Sequence, residues 1–280
     1  MDDDACMYGP SILARTLSVP APMGANGTLW QYHPRSDRHS KVACWGILFD
    51  LLRTSDVLAQ HVRAGKLAFG INHEMVDFRL NRKKNLDLVL CTPGTPVAGK
   101  RHGSFRALSN RYGIEPSPEE QYALELLPDI PEAPVGTVRI ALEAKAAMTA
   151  HVKALPRLYD ELNSSHSTIH GNTEFAIAIG LVLVNVADKF QSPGRPAVSR
   201  HRQPEDSIRV INKVRELPRR AGSTEPGFDA VGITAVSCSN DGSDLRIVAG
   251  PPAPQGGEID HYDQMIRRAA QIYENRYPSR

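Results

Sequence analysis

Asp87 interrupts the apolar run Leu86-Asp87-Leu88-Val89-Leu90, and a second apolar run, Val138-Arg139-Ile140-Ala141-Leu142, ends in Glu143-Ala144-Lys145. Read as neighbouring strands, these runs bring two carboxylates together where apolar side chains would bury them, and a buried carboxylate needs a compensating partner. Mg²⁺ is such a partner, because it takes oxygen ligands and keeps several waters. Side chains alternate along a strand, so Lys145 falls on the same face as Glu143. A cation held beside a phosphate lowers the pKa of a bound water and offsets the charge of the incoming hydroxide and the departing oxygen. Asp87 and Glu143 as metal ligands, with Lys145 beside them, therefore form a set able to hydrolyse a phosphodiester. A lysine that is to move a proton must first have its pKa brought down from roughly 10.4 by burial near a metal. The tripeptide E-x-K is frequent, and a Glu and Lys at a strand end are more often a solvated pair, so the apolar context is what favours chemistry here.

The elements that must position these groups can be read from periodicity and turn signals. Val42, Trp45, Phe49 and Leu52 recur at helical spacing, which predicts a helix from a Ser40 cap to about residue 53, and Ser55 is placed to cap a shorter one ending before Gly65. Strands are predicted at Lys66 to Ile71, Met75 to Leu80 and Leu86 to Thr92, the last two joined by the polar turn Asn81-Arg82-Lys83-Lys84-Asn85. Val138 to Ala144 is the next strand. A helix from about Thr149 to Leu162 follows, in which Pro156 predicts a break or kink. Ala176 to Val186 is continuously apolar, as expected of a strand buried on both faces. Residues 187–206 read as an exposed connection, followed by a helix from about Pro204 to Leu217. Val231 to Ser237 and Leu245 to Val248 flank the turn signal Ser239-Asn240-Asp241-Gly242 and predict a hairpin. An amphipathic helix from about Ile259 to Tyr277 closes the chain.

The fold class that follows is α/β, a central mixed sheet flanked by helices. It is read as one elaborated domain spanning 1–280, with a core at about 40–186, an irregular arm at 1–39, a Pro- and Gly-rich insertion at 93–136 in which only Glu119 to Leu127 looks helical, and an extension at 187–280. With 41% hydrophobic and 23% charged residues, the 280-residue chain has the composition of a globular protein. No apolar run is long enough to cross a bilayer, and the acidic start Met1-Asp2-Asp3-Asp4 does not resemble a secretory signal, so the cytoplasm is the expected location. Cys6, Cys44, Cys91 and Cys238 are scattered, which indicates neither a disulfide framework nor a zinc site. A net charge of +2 does not by itself argue for nucleic acid, so any binding surface must come from local clusters of basic residues.

The order of elements together with the D…E-x-K pattern resembles the PD-(D/E)XK nuclease superfamily, the fold of many restriction endonucleases, mainly over residues 40–186. The resemblance implies a Mg²⁺-dependent DNA endonuclease, a type II restriction or phage-defence enzyme, in which Asp87 and Glu143 hold the metal and Lys145 orients or activates the attacking water. It also implies a homodimer, since cutting both strands of a symmetric site needs two centres, with the closing helix or the 231–248 hairpin as its interface. Two residues depart from the pattern: Leu86 precedes Asp87 where proline is usual, and the first helix lacks the glutamate that many members supply. Asp50 and Glu74 are the available substitutes.

Arg79, Arg82, Lys83 and Lys84 around the turn before Asp87 are candidates to grip phosphates, as are Arg101, His102, Arg106 and Arg111 in the insertion, although charged turns and loops are commonly just solvated. His151 is a candidate for phosphate contact, or a surface or capping histidine. His166 and His170 have i, i+4 spacing but no third zinc ligand, and His73-Glu74 starts a metalloprotease motif that Asp77 then breaks. Two other classes predict different behaviour: a non-catalytic nucleic-acid-binding or assembly protein on the same fold binds DNA without Mg²⁺ and never cuts, and a protein-interaction module ignores DNA even at low salt.

Overall fold

The computed structural model describes residues 7–23, 27–95 and 103–278, so Arg101 and His102 lie outside the described residues. The arm expected to be irregular instead contains helix α1 (Gly9–Ser18) and a small antiparallel hairpin of β1 (Ala21–Met23) and β2 (Thr28–Trp30). Pro10 reads as a loop signal, yet proline fits the first turn of a helix, where its missing N–H has no partner to lose. Ile12, Leu13 and Leu17 then bury one face of α1.

Helix α2 (Arg38–Thr54) starts two residues before the expected cap, and the Ser40 hydroxyl bonds elsewhere. Its whole middle, Ser40 to Leu52, is buried. Gly46 lets α1 cross at close range, since a Cβ there would lie 2.8 Å from the Gly9 Cα. Asp50 accepts from the backbone N–H of Tyr8 at 2.9 Å and of Gly9 at 2.7 Å, satisfying the first donors of α1. Ser55 caps α3 (Asp56–Arg63) as the sequence predicts, accepting from the Leu58 N–H.

The meander around Asp87 is present. β3 (Ala68–Asp77) is one strand rather than two short ones, and it pairs antiparallel with β4 (Arg82–Pro93) on both sides of Asn72, whose φ of +50° takes up a local irregularity. The insertion carries α4 (Phe105–Tyr112), which the sequence did not suggest, and α5 (Pro118–Leu126), which it did. Phe105 stacks on Trp45 at 4.7 Å and docks α4 on α2.

β5 (Val135–Ala147) is antiparallel to β4 and leads into α6 (His151–Asn172), which continues through Pro156 for 22 residues. Burial of Leu158, Leu162 and Ile169 on the sheet outweighs the one backbone bond that proline removes. β6 (Ile177–Asn185) is buried at every position and runs parallel to β5. The connection carries a two-rung ladder of β7 (Lys189–Phe190) and β8 (Ser199–Arg200) before α7 (Glu205–Arg215). β9 (Ala230–Ser237) lies parallel to β6, β10 (Arg246–Ile247) forms the expected hairpin with it, and α8 (Tyr262–Arg276) closes the fold.

The result is an α/β fold with a six-stranded mixed sheet in the order β10-β9-β6-β5-β4-β3. One face packs against α2 and α8, the other against α6 and α7. Met265, Ile266, Ala269 and Tyr273 of α8 are buried within this chain, so its apolar stripe is not available to a second copy in the way the amphipathic pattern suggests.

Burial pushes the Asp50 carboxyl up to about 6, against the lowering effect of its bonds from Tyr8, Gly9 and Tyr262. A folded-state pKa above the ordinary 3.8 gives stability that is greatest in acid and is lost as the pH rises through 6, a loss of about 3 kcal/mol from this group. Asp50→Asn is expected to flatten that fall between pH 4.5 and 7 in urea unfolding; a slope identical to wild type would contradict the assignment.

Candidate active site

β4 and β5 remain paired as far as Leu88 and Leu142 and then part, and the same register sets Asp87 opposite Glu143. At this split the backbone N–H of Ala144 has no strand partner on the β4 side and donates to Asp87 Oδ2 at 3.0 Å. The other carboxylate oxygen, Oδ1, accepts from the Ser40 hydroxyl at 2.7 Å and the Lys41 ammonium at 2.8 Å, and Lys41 also reaches the Asp87 backbone carbonyl at 3.1 Å. Lys41 is buried to 1% exposure near the start of α2. Burial opposes ionisation of Asp87, but the Lys41 charge and hydrogen bond, then the Ala144 and Ser40 bonds, outweigh it and hold its pKa below the usual range.

Glu143 is also buried, at 1% exposure, but it has fewer partners than Asp87. The Lys145 ammonium pairs with Glu143 Oε1 at 2.8 Å, whereas Glu143 Oε2 has no hydrogen-bond partner. Lys84 stands 3.9 Å from the same oxygen. Burial, reinforced by the Asp87 charge, raises the Glu143 pKa despite the two lysines.

The two lysines respond in opposite directions. Burial favours neutral Lys145, but Glu143, Asp87 and Glu161 overcome it and raise its pKa, so Lys145 is held as an ammonium. For Lys84 burial prevails and the pKa falls. Of the two roles open to Lys145, offsetting phosphate charge or moving a proton, its acidic neighbours favour the first.

Of these groups Ser40, Lys84, Asp87 and Lys145 line a cleft of about 1450 Å³ between the start of α2, the β4 edge of the split, the first half of α6 and the 190–202 connection, with Glu143 and Lys41 buried behind them. Arg35, Lys83, Lys84, Lys145, Lys153, Arg157, Arg195, Arg200 and Arg202 line it against Asp37, Asp87, Asp160, Glu161 and Asp206. Nine basic residues facing five acids concentrate positive charge that the whole-chain value of +2 conceals. Among the phosphate-binding candidates, Lys83 and Lys84 reach the cleft, whereas Arg79 and Arg82 are exposed at the β3–β4 turn and do not line it. Arg106 donates to the carbonyls of Leu124 and Leu127, where it ties down the end of α5.

Asp50 and Glu74 do not supply a third acid. Asp50 is engaged with the start of α1, and Glu74 pairs with Lys83 at 2.9 Å on an exposed part of the hairpin. His151, at the start of α6, is buried rather than at the surface; it borders the cleft, and its Nε2 donates to the Asn185 carbonyl at 2.7 Å. His166 bonds Asn163, while His170 sits against Arg220 and the Gly227 carbonyl; burial takes their pKa values to about 4 and about 3. Lys41 and the Arg195, Arg200 and Arg202 rim are what the motif search missed. The available signal for Lys41 was a single cation in the otherwise uncharged run from Ser40 to Phe49.

Among the described residues, no group of three or more His, Cys, Asp or Glu gathers to hold a metal. Two hard oxygen donors are nevertheless open: Glu143 Oε2, which has no hydrogen-bond partner, and Asp87 Oδ2, which has accepted only one bond. Such a pair suits Mg²⁺, which completes its shell with water and substrate oxygens, better than zinc, which favours nitrogen and sulfur. Comparison with known proteins returned no match: no family model fits the chain, and no curated protein or solved structure is significantly similar to it.

Because ionised Glu143 is disfavoured in the folded state, Glu143→Gln is expected to melt at a higher temperature than wild type in EDTA, by calorimetry. A lower melting temperature would show the carboxylate to be structurally satisfied.

Proposed function

We propose that this chain is a metal-dependent phosphodiesterase. More particularly, it is a Mg²⁺-dependent DNA endonuclease of the PD-(D/E)XK kind, acting in restriction or phage defence. The observation that carries the reading is the buried Glu143 carboxylate, whose Oε2 has no hydrogen-bond partner, opposite Asp87, which lines a basic cleft. Lys145 compensates one oxygen of this carboxylate and leaves the other for a further cation.

In this reading Glu143 and Asp87 Oδ2 hold the ion, which when bound supplies Lewis acidity toward a water and a phosphate oxygen. The Lys145 ammonium offsets charge that builds on the phosphate. Lys84, whose pKa burial lowers, gives up a proton more readily than Lys145 does. Lys83, Arg157, Arg200 and Arg202 along the cleft bind flanking phosphates without reading sequence. Cutting both strands at one site calls for two centres, hence a pair of chains.

A second reading, a DNA-binding protein that does not cut, is favoured by one observation: three protein donors already satisfy most of the Asp87 carboxylate. Plasmid and phage DNA incubated with Mg²⁺, Mn²⁺ or EDTA separates the two. Metal-dependent cutting is expected from wild type, with Asp87→Ala, Glu143→Gln and Lys145→Ala each reducing it by about 10²–10³-fold or more. Cutting that survives all three substitutions would remove the assigned centre, and metal-independent binding with no cutting would establish the second reading. Arg200→Ala and Arg202→Ala are each expected to lower the slope of log affinity against log salt for duplex DNA by about 1.

A further inference from the structure

Resting on the metal-dependent reading of the site, we propose that the Lys41 ammonium occupies the place of a second metal ion, so that each chain takes one divalent cation. Hydrolytic centres with two ions need carboxylate oxygens for both. Here Asp87 Oδ1 is already taken by Ser40 at 2.7 Å and Lys41 at 2.8 Å, and Lys41 is further tied to the Asp87 carbonyl at 3.1 Å. A second ion on that oxygen would have to displace an ammonium that is 1% exposed and has no short path to water.

Charge counting gives the same limit. Lys41 and Lys145 already balance Asp87 and Glu143, with Lys84 close to Glu143 as well. One divalent ion leaves a surplus that a substrate phosphate can neutralise. Two would put a further double charge among these lysines, where the further acids are Asp37, 4.0 Å from Lys41 and 54% exposed, and Glu161, 3.7 Å from Lys145 and already paired with Arg157, and no group of three acids or histidines gathers to hold a metal among the described residues. Lys41 acts through Asp87 as a positioning residue: it presents Oδ2 to the ion and supplies fixed positive charge on the far side.

The test is the stoichiometry and affinity of Mn²⁺ for the full chain, by titration calorimetry and by electron paramagnetic resonance of free Mn²⁺. Wild type is expected to bind one ion. Lys41→Gln, which removes the charge and keeps a donor, is expected to bind Mn²⁺ about tenfold more tightly or to take a second ion, while cutting more slowly. Uptake of a second ion marks Lys41 as standing in for one, since removing any nearby positive charge tightens cation binding. Two ions on wild type would overturn this inference and leave the nuclease reading intact, and no ion on wild type would overturn both. Unchanged or weakened binding of a single ion by folded Lys41→Gln would also overturn it. The wild-type stoichiometry decides the matter even where the buried substitution prevents folding.

Discussion

The Ala144 N–H at the split between β4 and β5 is the donor on which the site is built. A buried backbone N–H must find an acceptor, and where the ladder ends the Asp87 carboxylate becomes that acceptor. Its other oxygen then draws in Ser40 and Lys41, which fixes the start of α2 against the sheet. The carboxylate thus joins two strands and a helix. Glu143, one residue before the donor, is buried by the same arrangement and receives no bond from it.

That asymmetry gives two neighbouring acids opposite character. Asp87 is held as an anion by three donors, while Glu143 is raised by burial and by the Asp87 charge. The flanking lysines divide likewise: Lys145 remains charged because it faces the acids most directly, and Lys84 is depressed because burial prevails. Neighbouring groups whose pKa values are pushed apart are a usual feature of acid–base centres and also occur in structural ion networks. The basic lining of the cleft adds the second element, an electrostatic path toward the pair for a polyanion.

Support for this geometry comes from elements far from it in sequence. Asp50, at the other end of α2, anchors α1 through Tyr8 and Gly9 and accepts from the Tyr262 hydroxyl of α8, so both ends of α2 are held by aspartates, Asp50 buried and Asp87 at the cleft. On the opposite face, α6 begins beside the cleft, where His151 is bonded to the end of β6. Its first half lines the cleft and its later turns bury Leu158, Leu162 and Ile169. A helix that serves as both wall and core cannot end at Pro156, although local propensity says that it should.

Periodicity alone made much of the architecture legible: α2, α3, the meander carrying Asp87, Glu143 and Lys145, the doubly buried β6 and the closing hairpin and helix follow from spacing, caps and turn residues, because those signals are local and physical. Other parts were not legible, since local signals were outweighed by packing, as at Pro10 and Pro156, or because they concern pairing across long separations. Lys41 and Asp87 meet only after α2 docks, and Arg35, Lys153, Arg157 and the Arg195 to Arg202 segment line one cleft only after four elements converge. The sequence by itself determined which residue types are present and which strand each acid rides on. Tertiary structure decided which acid is satisfied, which is left open and which lysine keeps its proton, because desolvation and Coulomb interaction depend on through-space neighbours that no spacing along the chain encodes.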